Sequence, residues 1–305
     1  MMKRNFWILI LVLLPMLGSG QTLVHSQLLT KMMGAPNEGY QGMDIWRNYI
    51  VSCQNSGIAT IYRYDGKEIS RVGEAFHLAS YDEHNHANVA SFGRTFYDKH
   101  DKLPLLYISQ AYMVPVNGKK DLLFVERINP DTQTSELVQT ICFDDVNHLF
   151  GYALQWVIDN DRHFLYGYGN TVNNSDANNR HRIVKFRIPS IKESKDITLT
   201  EKDILENYLL EDTYKESFNP IGQGLFISNG LLYMPTGVGQ EMFPSLLYVW
   251  DLKAKRMYDV VDLTKATSGE LEDCSSYHDS LIIQGQNGLY KISFDKQNTK
   301  KFKIK

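Results

Sequence analysis

Carboxyl and imidazole side chains stand at strand-like spacing in two short runs of this chain. Glu270 and Glu272 fall in Gly269-Glu270-Leu271-Glu272-Asp273-Cys274. Two carboxyls at i and i+2 of an extended segment face the same way. Paired carboxyls across a cleft can act as acid and nucleophile or base on a glycosidic bond. Asp44, near the start of another strand-like stretch, is the partner expected opposite them. The densest polar run is Tyr81-Asp82-Glu83-His84-Asn85-His86-Ala87-Asn88. If extended, it puts His84, His86 and Asn88 on one face, as two imidazole ligands of a metal would require. A third protein ligand would have to come from elsewhere, with Glu270 or Glu272 as the carboxyls at hand. Two histidines in a polar loop are more often hydrogen-bonded or solvated, so no metal and no other cofactor is expected.

Other motifs are missing. Residues 170–179 hold many oxygen ligands but lack the acidic spacing of a calcium loop, and read as a hairpin tip. Asp159-Asn160-Asp161 reads as a turn, where Asn and Asp tolerate the geometry. There is no phosphate-binding glycine loop, no Gly-x-Ser-x-Gly elbow and no His-Glu-x-x-His. A net charge of −3 and a pI near 6.3 give no electrostatic footprint for nucleic acid. The Lys-rich end, residues 300–305, alternates apolar and basic residues and reads as an edge strand. Three cysteines, Cys53, Cys142 and Cys274, are too few and too scattered for a disulfide framework. Each sits in an apolar, strand-like stretch, so buried free thiols are expected.

The first residues have the layout of a secretory signal peptide. Lys3 and Arg4 precede an apolar run over residues 6–17, and Gly18-Ser19-Gly20 supplies small residues before Gln21. The run is too short to cross a bilayer of roughly 30 Å as a helix. Cleavage near Gly20 would give a secreted or periplasmic chain with no transmembrane segment, expected to be monomeric. About 285 residues then remain, read as one domain over residues 21–305.

The elements that must position the polar residues are short strands, dense in aromatic and β-branched residues and broken by turns. They repeat. Five units open on a polar or aromatic residue followed by a small or apolar one: Gln41-Gly42, His86-Ala87, Tyr152-Ala153, Gln223-Gly224 and Glu270-Leu271. Each opening leads into an apolar strand and then a second strand, over residues 49–54, 105–110, 163–168, 231–236 and 280–285. Gly57, Gly169, Gly237 and Gly285 follow four of these, where tight turns favour positive φ. Third strands follow over residues 59–64, 122–128, 183–188, 246–250 and 288–294, with fourth strands over 136–143 and 257–263. Residues 22–30 or the Lys-rich end could supply the outer strand of the last unit. One helical insertion is expected over about residues 198–212, capped by Thr200 and Asp203, with Ile204, Leu205, Tyr208 and Leu209 as its apolar stripe.

Four-stranded units repeated in this way resemble the blades of a five-bladed β-propeller, a group that includes sugar-cleaving enzymes of the arabinanase type and lectins of the tachylectin type. The resemblance lies in the blade pattern, and no family's functional motif is matched. It implies an all-β ring whose inner strands line a central channel. Gln41, His86, Tyr152, Gln223 and Glu270 would then circle the channel, with Met43, Asn88, Leu154, Leu225 and Glu272 two residues further on. The leading expectation is a small-molecule or glycan ligand held by Gln41, Asp44, His86, Asn88, Gln155, Gln223, Glu270 and Glu272. The alternatives are a carbohydrate-active hydrolase or lyase using the carboxyls, and an extracellular protein-interaction scaffold using the long loops and the helix.

Overall fold

A computed structural model describes residues 24–111 and 114–294, so the stretch expected to be a signal peptide and the Lys-rich end lie outside the described residues. Strand β1 (Val24–Lys31) comes first. The first blade is β2 (Tyr40–Trp46), β3 (Tyr49–Gln54), β4 (Ile58–Tyr64) and β5 (Ile69–His77), and the second begins with β6 (Val89–Phe92), β7 (Leu106–Ser109), β8 (Leu123–Asn129) and β9 (Thr134–Phe143). The third is β10 (Tyr152–Asp159), β11 (Phe164–Asn170) and β12 (His181–Arg187), followed by β13 (Asp196–Leu199) and β14 (Glu206–Leu209). The fourth is β15 (Phe226–Ser228), β16 (Leu231–Thr236), β17 (Leu246–Asp251) and β18 (Arg256–Asp262). The fifth is β19 (Leu271–Tyr277), β20 (Ser280–Gly285) and β21 (Gly288–Phe294). Each blade is an antiparallel meander, and the chain is a five-bladed β-propeller.

Side-chain alternation explains why the blades stack. In β3, Val51 and Cys53 pack toward the second blade with Phe92, Leu106 and Ile108. Ile50, on the opposite face, packs toward the fifth with Ile282 and Leu289. In β16, Leu231 and Tyr233 join the fifth blade, whereas Leu232 and Met234 join the third. Successive residues of a strand point to opposite faces, so middle strands covered on both sides are apolar nearly throughout. The five buried clusters are the five seams of the ring.

The ring is closed by β1, which pairs antiparallel with β21 from Val24↔Phe294 to Lys31↔Gly288. The N-terminal stretch therefore supplies the outer strand of the last blade. Of the four glycines, Gly57 and Gly237 have φ of 74° and 87°. Gly169 and Gly285 serve close approach instead. A Cβ there would come within 2.7 Å of the Ala153 carbonyl oxygen and 2.8 Å of that of Glu270.

The expected helix over residues 198–212 does not form. Thr200 and Asp203 do make the reciprocal cap, but around a single 3-10 turn, Glu201–Asp203. The chain then becomes extended, and β14 pairs with the outer edge of β12. Just before the turn, β13 adds parallel to β9 as a fifth strand of the second blade. An isolated helix of this length is marginal in water, and two open sheet edges offer the same backbone stable partners. Tyr208 stacks near Trp250, ring centroids 6.4 Å apart, and Lys185 Nζ meets Glu206 Oε1 at 2.8 Å. The cysteines Cys53, Cys142 and Cys274 are free and buried.

Candidate functional site

A carboxylate hub lies beneath the channel. Asp273 Oδ2 accepts hydrogen bonds from the Met43 N–H at 2.9 Å and the Ala90 N–H at 3.2 Å. Its Oδ1 accepts from the Leu225 N–H at 3.0 Å and the Cys274 N–H at 2.9 Å. One fully buried side chain of the fifth blade thus satisfies inner-strand donors of the first, second and fourth blades as well as its own. Buried backbone donors are costly to leave unpaired, and innermost strands have no sheet partner on the channel side. Burial holds the Asp273 carboxyl well above its ordinary range, although the backbone donors draw it down.

The same device recurs around the ring. Asp44 Oδ2 accepts from the Phe92 N–H at 2.5 Å, and its Oδ1 accepts from Ile45 N–H at 2.7 Å and Ser275 Oγ–H at 2.5 Å. Asp121 Oδ1 accepts from the Leu154 N–H, and Ser109 Oγ from the Trp156 N–H. Burial pushes Asp44 and Asp121 each up to about 6. Asp44 therefore sits in the blade seams and does not face the channel, which corrects the expectation that it stands opposite Glu272. A bulge between Tyr40 and Met43 in β2 shifts the register, Met43 turns toward the fifth blade, and Asp44 takes the opposite side.

Above the hub, a cavity of about 450 Å³ opens where the five units begin. Gln41, His86, Tyr152, Gln223 and Glu270 all line it, as do Asn88, Gln155 and Glu272. Seven of the eight expected site residues are brought together, Asp44 being the exception. The register change between Tyr152 and Leu154 accompanies Gln155, and not Leu154, facing the cavity.

Amides link these side chains. Gln155 Nε2 donates to the Gln223 carbonyl at 2.5 Å and to Asn88 Oδ1. Gln223 Nε2 donates to Glu270 Oε1 at 2.7 Å. Gln286 Nε2 donates to Glu272 Oε1 at 2.5 Å and to the Tyr40 carbonyl at 3.1 Å. Gln155 and Gln286 therefore give both amide N–H groups to the protein, and Gln223 gives one. Gln41 Oε1 and Gln155 Oε1, by contrast, are buried acceptors without a protein partner. Burial, reinforced by the neighbouring Glu270, holds the Glu272 carboxyl well above its ordinary range. Burial also lowers His86, which favours the neutral ring at pH 7.

His84 does not line this cavity. It lies near the surface with its Nε2 3.7 Å from Glu83 Oε1. The extended run assumed for residues 84–88 is a turn: Asn85 Oδ1 accepts from the Ala87 N–H, and Ala87 has φ of 48°. Among the described residues no three His, Cys, Asp or Glu side chains converge as metal ligands would.

Sequence reasoning did not point to Gln286, Tyr168 or His181, which complete the cavity wall. A recurring amide was a usable signal. Gln54, Gln110 and Gln284 stand at or within one residue of the ends of second strands, and each spends its Nε2 on a loop or opening carbonyl: Ala35 and Glu38, His84 and Val114, and Gln41.

No protein-family model matches the sequence, and no curated protein matches it. Among solved structures, the fold is similar to that of glutaminyl cyclase from Myxococcus xanthus, with a TM-score of 0.51 and 12% identity over 90% of this chain and 98% of that one. It is also similar to the tail fibre of Staphylococcus aureus phage P68, with a TM-score of 0.49 and 11% identity over 91% of this chain and 54% of that one. At 12% identity the likeness to the first of these extends to the fold and not to an activity.

Proposed function

We propose that this propeller is exported and that its central cavity binds a small, neutral, polyhydroxylated ligand, a saccharide unit. One observation carries the reading: the cavity is walled by amides, and the buried acceptors of Gln41 and Gln155 among them have no hydrogen-bond partner in the protein. Buried polar groups are normally hydrogen-bonded, and a sugar hydroxyl supplies the donor such an oxygen lacks. Tyr152 and Tyr168 add aromatic surface to the wall, and the volume falls within the range of about 300–1,000 Å³ usual for small-ligand sites.

The test is calorimetry on the chain from Gln21 with D-glucose, D-galactose, L-arabinose and N-acetyl-D-glucosamine. Binding of at least one sugar is expected, weakened about tenfold by Gln41→Leu, the cost of one good hydrogen bond. Silence across the panel, from a protein that melts cooperatively, defeats the reading. Export is tested separately, by the N-terminal mass of the protein recovered outside the cytoplasm. Cleavage near Gly20 is expected, and an intact Met1 opposes it.

A second reading is a hydrolase or lyase resting on Glu270 and Glu272. It is favoured by the raised Glu272, since a carboxyl that keeps its proton can act as a general acid. Against it, the two carboxyls rise from one strand end, about 7 Å apart along the backbone by strand geometry, so they share a wall and do not flank a bond. Release of nitrophenol from aryl glycosides, lost in Glu272→Gln, would put this reading first.

A further inference from the structure

The third blade contributes an imidazole whose setting differs from that of the other cavity groups. His181 opens β12 and is almost fully buried, yet its ring belongs to the cavity wall. Its Nδ1 lies 2.7 Å from Glu211 Oε1, and its backbone N–H donates to both Glu211 oxygens at 3.0 Å. Glu211 comes from the turn Leu210–Asp212, which follows β14 and is anchored by the fully buried Leu210. Burial pushes Glu211 up, but the bonds from the His181 ring and backbone hold it below its ordinary value. The side chain is thus a carboxylate that must receive a proton from Nδ1.

The aromatic neighbours fix the ring plane. Tyr168 stacks on the imidazole at 5.9 Å and 11°, and Phe218 lies 4.6 Å away at 44°. Cations meet the Glu211 end of the pair, and Glu270 and Glu272 share the cavity wall with His181. Arg180 Nε is 4.0 Å from Glu211 Oε2, Arg180 also holds Asp212, and Lys215 Nζ bonds the Glu211 carbonyl. A carboxylate on one ring nitrogen fixes the tautomer and leaves the other nitrogen as an acceptor.

We propose that Glu211 locks His181 as the Nδ1–H tautomer, so that Nε2 presents a hydrogen-bond acceptor to the cavity and reads a donor group, a hydroxyl, on the bound ligand. Together with Gln41 Oε1 and Gln155 Oε1, this puts three acceptors on the cavity wall. A ligand that meets all three must bring donors. Glu211 is the positioning residue, and His181 makes the contact. The choice of a hydroxyl over other donors rests on the saccharide reading above, whereas the orientation of the ring does not.

The experiment separates the two. Histidine is labelled with ¹⁵N, His181 is assigned with a His181→Phe variant, and the ring tautomer is read by long-range proton–nitrogen correlation without any ligand. The Nδ1–H form is expected, and an Nε2–H ring overturns the inference whatever the sugars do. In parallel, the folded protein is treated with diethyl pyrocarbonate and mapped by mass spectrometry. His181 is expected to react despite its burial, several-fold more slowly in Glu211→Gln. Protection of His181 in the folded chain, or an unchanged rate in a folded Glu211→Gln variant, also overturns it. If that variant does not fold, the wild-type tautomer decides. The sugars of the calorimetric panel are then added: one that binds is expected to shield His181 but not the exposed His100. A correct tautomer with no sugar bound removes the saccharide reading and leaves the acceptor wall standing.

Discussion

Replacing Asp273 by alanine removes the acceptor for four buried backbone N–H groups at once, those of Met43, Ala90, Leu225 and Cys274. A buried donor left unpaired costs about 1–3 kcal/mol. Relief of the buried carboxyl's desolvation offsets part of the sum, so the expected loss is at the low end, about 4 kcal/mol. Domains of this kind have about 5–15 kcal/mol in total, so Asp273→Ala is marginal at best. Asp273→Asn keeps one acceptor oxygen and turns an NH₂ toward donors, and is expected to lose about half as much. Ser275→Ala is the control, since it removes one bond to Asp44 and should cost about 1 kcal/mol. The assay is urea unfolding followed by fluorescence of Trp46, Trp156 and Trp250. If Asp273→Ala costs no more than Ser275→Ala, the hub does not hold the blades together and the reasoning is wrong.

Asp44, pushed up to about 6 by burial, gives a pH signature. Its folded value lies above the unfolded 3.8, so the native state holds more protons between pH 4 and 6, and stability falls as pH rises through that window. From pH 4.5 to 7 its contribution falls by about 2 kcal/mol, and stability curves for Asp44→Asn should lack that fall. Matching slopes in both proteins would mean that Asp44 stays ionised. Deleting residues 24–31 uncovers the edge of β21 and should convert a monomer into higher oligomers by sedimentation, so a monomeric deletion variant counts against ring closure by β1. The thiols of Cys53, Cys142 and Cys274 are buried, and burial raises Cys53 and Cys274. Ellman's reagent should titrate no thiol rapidly in the native protein and three after denaturation, and fewer than three would reveal a disulfide.

Much of the ring was legible because its signals are local. Residues 49–54, 231–236, 280–285 and 288–294 read as strands and are strands with those bounds. Polar residues at the five openings stood out because an ordinary buried strand is apolar there, and they do share a cavity. The misreadings have one root. Ile204, Leu205, Tyr208 and Leu209 have helical spacing, but an unpaired sheet edge decides the outcome, and no window of sequence contains that edge. Asp44 has the residue type of a site carboxyl, and a bulge a few residues earlier rotates it into a seam. Asp273 and the His181–Glu211 pair depend on groups brought from distant parts of the chain, so periodicity carries no trace of them.

The pairing of Val24 with Phe294 makes the last blade a composite of the two ends of the described chain. Until the C-terminal strands are available, β1 has no place to go, and four blades must wait with a seam open. Such a contact is among the most non-local a chain can make, and non-local closure is slow. The latch therefore acts as a timer that keeps the ring incomplete until β21 has been made. A circular permutant, with new ends in the loop between β5 and β6 and the old ends joined, would replace that timer by an ordinary hairpin. It should fold sooner, and the price is a ring with no shared strand between its first and second blades.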